Sequence, residues 1–149
     1  MAGLEDLYRE IILDHYKNPR NKGELSTPPA VKAEGFNPLC GDESVVYLIV
    51  DGDRIADVRI SGQGCSISQS SASMMSSAVK GKTVDEALEI IHAFKHLLGV
   101  TDDDHEHDDI ASVNLGDLQA LSGVTKFPTR IKCATLAWNT LGEAIVASR

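Results

Sequence analysis

At 149 residues, with 42% hydrophobic and 24% charged residues, the chain is long enough to bury a core of its own and has the composition of a globular protein. A formal net charge of −8 argues against binding nucleic acid, which depends on neutralising phosphates with Lys and Arg. No apolar run approaches the roughly 20 residues of a membrane span. Charge alternates with apolar residues from Met1 to Glu10, unlike a signal peptide, so a cytoplasmic protein without a membrane partner is expected.

In chain order, Leu4, Leu7, Tyr8, Ile11 and Ile12 fall at helical spacing, which predicts an amphipathic helix over 4–17. The stretch KNPRNKG (17–23) breaks it through Pro19 and Gly23, and STPPA (26–30) continues as loop. Residues 31–36 read as a short strand, and SVVYLIV (44–50) as a β-branched strand buried on much of both faces. The Asp51-Gly52-Asp53 sequence signals a tight type I′ hairpin turn, and the return strand 54–61 would set Ala56, Val58 and Ile60 on one face. SGQG (61–64) should stop that strand.

The next segment, CSISQSSASMMSSAVKG, holds seven serines and invites a linker reading. Ile67, Ser71, Met74, Met75 and Ala78 nonetheless share a helical face, which predicts a helix ended by Gly81, its small residues letting it lie close to the sheet. A helix over 83–99 carries a capping box at Thr83 and Glu86 and an apolar stripe from Ala87 to Leu98. Residues 101–109 form an acidic loop, 114–123 a short helical turn or helix, and a closing helix follows Pro128, with Ala134, Ala137, Trp138, Leu141 and Ile145 on its apolar face. With no internal repeat and no boundary, the expectation is one domain over 1–149 of α+β class, a small antiparallel three-stranded sheet with helices packed on one face.

The three cysteines, Cys40, Cys65 and Cys133, are odd in number and widely spaced, a poor disulfide framework. Buried structural thiols, a reactive nucleophile or metal ligands remain. Cys40 lies in the NPLCGD turn before a strand, Cys65 follows two glycines at a helix start, and Cys133 sits in the first turns of the last helix. Such element ends suit a metal site, because helix N-termini stabilise a thiolate and glycines let the backbone approach a compact centre. Asp42, two residues after Cys40, can reach the same ion, and Cys40, Asp42, Cys65 and Cys133 would make a tetrahedral set acceptable to zinc. Lacking a C-x-x-C pair, the spacing alone leaves bystander thiols open.

Four segments, ILDHYKNPRNKG, NPLCGD, GQGCSISQSSASMMS and RIKCATLAW, resemble in order the U-type iron–sulfur cluster assembly family, the IscU and NifU N-terminal type. The resemblance spans nearly the whole chain and implies that Cys40, Asp42, Cys65 and Cys133 are its metal or cluster ligands. The scaffold branch of that family carries a histidine directly before its last cysteine, where this chain has Lys132. It also carries a Leu-Pro-Pro-Val-Lys chaperone-docking segment where this chain has KFPTRIK (126–132), and residues 99–123 look like an insertion. These departures resemble the SufU branch, which implies a zinc-dependent sulfur acceptor working with a pyridoxal-phosphate (PLP) dependent cysteine desulfurase of the SufS kind and with a downstream cluster-assembly scaffold. Iron or an iron–sulfur cluster on the same ligands, built by the chain as a scaffold, is the alternative. A zinc-stabilised partner-binding module is the third class.

In the sulfur-acceptor reading Cys40 attacks the outer sulfur of the desulfurase persulfide, a thiol-exchange type of transfer. Its place on a turn makes it the ligand able to leave the metal, while Cys65 and Cys133 are anchored on helices. Arg130 lies three residues before Cys133, on the same helix face, where it would stabilise a thiolate, Asp42 or the transferred persulfide. His105 and His107 stand in a solvated run of five aspartates and one glutamate over 102–109. His15 reads as packed or surface, His92 and His96 lack a third ligand despite their i, i+4 spacing, and Met74 and Met75 read as core fillers.

Overall fold

A computed structural model describes residues 2–27, 29–38, 41–100 and 115–148. The elements run α1 (Ala2–Lys17), β1 (Val31–Asn37), β2 (Asp42–Asp51), β3 (Arg54–Gln63), α2 (Ser66–Val79), α3 (Val84–Leu97), a 3₁₀ helix (Gly116–Lys126) and α4 (Pro128–Ala147). This is the α+β plan expected, with one antiparallel three-stranded sheet in the order β1-β2-β3. The expected loop at 101–109, with His105 and His107, lies outside the described residues.

Alternation along β2 turns Val46 and Leu48 inward, and pairing with β3 aligns them with Ile60 and Val58. The expectation that Ala56 joins this face fails: Ala56 is exposed and Ile55 is fully buried. The cause is a bulge, since Ile49 pairs with Asp57 but Val50 with Ile55, leaving Ala56 as an extra residue and reversing the alternation beyond it. The hairpin turn also differs from the expected type. Asp51 pairs with Arg54, so Gly52 and Asp53 are the central residues, and positive φ falls on Gly52 alone (66°), as in a type II′ turn. At its far end β3 continues to Gln63 instead of stopping at Ser61, because Gly62 can pair where a side chain would strike the Glu43 backbone.

Helix α4 lies across β1 and β2, so close that a Cβ on Gly35 would run into the Thr140 side chain. Helix α3 starts at the expected capping box, Thr83 with Glu86, and stacks Phe94 on Trp138 with ring centroids 4.4 Å apart. The serine-rich segment is helical, but α2 packs against α1 and α4 as well as β3, which buries Ser68, Ser70, Ser71, Ser73 and Ser76. Their hydroxyls are satisfied within the protein. Ser70 donates to the Ser66 carbonyl, and Ser71 donates to the Ala134 carbonyl (2.6 Å) while accepting from the indole N–H of Trp138 (3.0 Å).

Ser73 and Ser76 bind α1 and the segment after it. The Ser73 hydroxyl accepts from the Arg20 N–H (2.9 Å) and meets His15 Nδ1 (2.8 Å); Ser76 donates to the Arg20 carbonyl and accepts from the Asn21 amide. His15 is therefore a packed residue, 4% exposed, with Nε2 3.3 Å from Asp117 of the 3₁₀ helix. That 3₁₀ helix, which overlaps the end of the stretch expected to be an insertion (99–123) and runs on to Lys126, contributes Leu118, Leu121 and Val124 to the core.

The bulge makes neighbouring residues of β3 respond differently to truncation. Ile55→Ala should lower stability by about 2–5 kcal/mol, as for a fully buried aliphatic side chain, whereas Ala56→Ser should stay within about 0.5 kcal/mol; urea unfolding of both variants checks this.

Candidate metal centre

The centre forms where the ends of β1, β2, β3 and α2 meet the second turn of α4. Asn37, the last residue of β1, pairs with Asp42, the first of β2, and the Gly41 N–H donates to the Asn37 carbonyl (2.8 Å) to close the connection. Gly41 takes φ +70°, open to glycine at little cost. Asp42 is thus a strand residue rather than part of the turn, and its inward position buries it completely.

From β3 the chain passes through Gly64 into Cys65, which caps the N-terminus of α2. The Cys65 N–H donates to Asp42 Oδ1 (3.0 Å), its Sγ lies 3.9 Å from Oδ2, and the Ser68 N–H points at Sγ from 3.5 Å. The unpaired N–H groups of the first turn and the helix dipole therefore favour negative charge on this sulfur. Gly64 is required by space, because a Cβ there would overlap the Asp42 carboxylate and stand 2.5 Å from the Ser68 hydroxyl.

Cys133 is 1% exposed. Because α4 begins at Pro128, Cys133 lies on its second turn, where the dipole has faded; the expected N-terminal stabilisation applies to Cys65 and not to Cys133. Instead the Asn37 side-chain amide donates to Cys133 Sγ from 3.7 Å, and that sulfur lies 3.5 Å from the Thr129 carbonyl.

One donor atom from each of Asp42, Cys65 and Cys133 falls within 4.8 Å of the others, the one such metal-capable group among the described residues. The donors fit a divalent cation. A fully buried carboxylate is unfavourable without a counter-charge, and two sulfurs with one oxygen are ligands that zinc accepts and iron tolerates. Cys40, the fourth expected ligand, lies outside the described residues, between Pro38 and Gly41 in sequence.

Arg130 is exposed on the first turn of α4 and lines an open groove of about 280 Å³ with Ile12, Ile67, Val124 and Phe127. Among the described residues its guanidinium forms no ion pair with Asp42. The groove opens beside the first turn of α2, two residues on from Cys65. Lys132 is exposed, and the donor group contains no histidine; His92 and His96 lie apart from it on α3. The residue missed from the sequence is Asn37. It opens the NPLCGD stretch, and the one available signal was an amide beside a metal-ligand turn, which reads as easily as a turn former.

A three-stranded sheet backed by helices gathers two thiols and a carboxylate at one end, a metal-capable arrangement on an α+β fold. Residues 7–134 match the NifU-like N-terminal domain, and the chain belongs to that family, the U-type iron–sulfur cluster assembly proteins. It is 47% identical over 144 residues to the zinc-dependent sulfurtransferase SufU of Bacillus subtilis (strain 168), covering 97% of this chain and 92% of that one. It is 40% identical over 148 residues to the iron–sulfur cluster assembly scaffold protein IscU of Streptococcus pyogenes serotype M1, covering 99% and 88%. Its fold matches the crystal structure of a putative iron–sulfur cluster assembly scaffold protein for the SUF system from Fervidobacterium islandicum AW-1, with TM-score 0.78, 37% identity and coverage of 96% and 99%.

Gly64→Ala should push the Asp42 carboxylate out of line and weaken divalent-metal retention about tenfold or more, the usual range for disturbing a ligand's support. Competition with a chromogenic chelator measures it.

Proposed function

We propose that the chain is a zinc-dependent sulfur acceptor, taking persulfide sulfur from a PLP-dependent cysteine desulfurase and passing it toward iron–sulfur cluster assembly. The observation that carries the proposal is the donor group itself: one carboxylate and two thiols with no imidazole, and a lysine, Lys132, before the last cysteine. The similarity to the Bacillus subtilis zinc-dependent sulfurtransferase supports the same reading.

Asp42, Cys65 and Cys133 would hold the zinc with Cys40 as fourth ligand. Chain connectivity keeps the Cα of Cys40 within about 7.6 Å of that of Asp42. Bound zinc supplies positive charge that keeps its thiol ligands deprotonated. The buried Asp42 and Cys133 and the helix-capping Cys65 are fixed by regular elements. Cys40 is carried by the β1–β2 connection and is the ligand suited to leave.

As a thiolate, Cys40 attacks the terminal sulfur of the desulfurase persulfide. A new S–S bond forms to Cys40, the old S–S bond breaks, and the desulfurase cysteine departs as a thiolate with its electron pair. The product is a persulfide on Cys40. Arg130, beside the groove at the start of α2, supplies a cation near the incoming persulfide, and the apolar groove walls exclude water from one side of the exchange. Arg130→Ala should lower the transfer rate about tenfold, the loss of one charge-assisted hydrogen bond.

The experiment mixes the zinc-loaded chain with a cysteine desulfurase and cysteine, then maps added sulfur by mass spectrometry. Persulfide on Cys40 and faster desulfurase turnover are expected. Cys40→Ala protein that accepts sulfur at the wild-type rate would remove Cys40 from the role. The similarity to a scaffold IscU sustains a second reading, cluster assembly on the same ligands. A brown protein with two irons after aerobic purification would favour it, and a colourless protein with one zinc would favour transfer.

A further inference from the structure

Asn37 meets the centre at three places, Gly41, Asp42 and Cys133. Its carbonyl accepts from the Gly41 N–H and closes the connection that carries Cys40. Its Cα pairs in register with that of Asp42. Its side chain, 6% exposed, turns inward and donates to Cys133 Sγ from 3.7 Å. A metal-bound thiolate only accepts hydrogen bonds, so the amide nitrogen is the end that must face it. On Cys133's own helix the neighbouring polar group is the Thr129 carbonyl, an acceptor, which can meet the sulfur favourably only while it bears a proton.

We propose that Asn37 is a positioning residue that holds Cys133 as the fixed, weakly nucleophilic thiolate of the centre and thereby confines sulfur acceptance to Cys40. The inference rests on the zinc-dependent sulfur-acceptor reading. An N–H donor draws electron density from a thiolate, which lowers its readiness to attack an electrophilic sulfur. It also fixes the direction of the sulfur's lone pairs toward the metal. Cys65 needs no such side-chain donor, because the Ser68 N–H and the α2 dipole serve it. Cys133, beyond the reach of its own helix N-terminus, takes its donor from the strand instead. One amide thus separates two thiols that the sequence presents alike, holding one still through its side chain and carrying the other on a connection closed by its backbone.

The test uses Asn37→Leu, which keeps the shape and removes the donor. In wild-type and variant protein loaded with cobalt(II), the thiolate-to-metal charge-transfer band should move to longer wavelength in the variant. Zinc retention against a chelator should fall about tenfold to a hundredfold, the range for losing a ligand's outer partner. After reaction with desulfurase and cysteine, sulfur should appear on Cys133 as well as Cys40. Normal metal uptake with an unmoved band and sulfur on Cys40 alone would overturn the role of Asn37 and leave the sulfur-acceptor reading standing. Wild-type protein that takes up neither zinc nor cobalt would overturn that reading and the inference with it. Should Asn37→Leu not fold, wild-type protein loaded with a spin-active cadmium isotope decides. A proton–metal coupling on the Asn37 side-chain amide is expected, and an amide without it overturns the assignment.

Discussion

The buried carboxylate of Asp42 sets the terms for everything around it. At 0% exposure it must be met by donors or by a cation, and each neighbouring element is shaped to do so. The Cys65 N–H reaches it because α2 begins there, Gly64 leaves room for it, and the β1–β2 pairing carries it to the sheet end where Cys133 arrives from α4. A charge that would destabilise an ordinary core suits a metal-capable group, since two sulfurs lie within 4.8 Å of the carboxylate oxygen.

Rigidity at the centre is supplied at a distance from it. Ser71 joins the carbonyl of Ala134 to the indole of Trp138, and Trp138 stacks on Phe94, so α2, α3 and α4 hold one another through a buried polar link set in apolar packing. Cys65 and Cys133 lie toward the N-terminal ends of two of those helices and inherit their fixed separation. The Gly41 N–H donates to the Asn37 carbonyl across the β1–β2 connection, in which Cys40 falls in sequence. Cys65 and Cys133 are thereby anchored by regular elements, while Cys40 falls in sequence between two strands.

Helix periodicity, the Thr83 capping box and the strand alternation were legible in the residues because each is a local pattern that the fold obeys. The bulge at Ala56 was not, since register depends on the partner strand; a reading of β3 alone places Ala56 where Ile55 belongs. The serines of α2 misled in a milder way. They read as a face for the sheet, but they bury the helix on several sides because their hydroxyls bond to neighbouring carbonyls, a tertiary fact. At the centre, Asp42, Cys65 and Cys133 were identifiable from residue type and position, and the structure gathers them. Asn37 was invisible there because its N–H···S contact spans 96 residues of chain. The lack of dipole support for Cys133 was already implicit in a helix beginning at Pro128, five residues before it.

Ser73 and Ser76, which bind α1 and the segment after it, stand on the same helix that Cys65 caps. Cys65 and Ser73 are eight residues apart on that helix, about 12 Å at 1.5 Å per residue. Any sliding of α2 that loosened Cys65 from Asp42 would have to break the serine contacts to His15 and Arg20 as well. The N-terminal helix lies along α2, from Ile12 in the groove beside Cys65 to His15 at Ser73, so α1 and the candidate metal centre share one mechanical element.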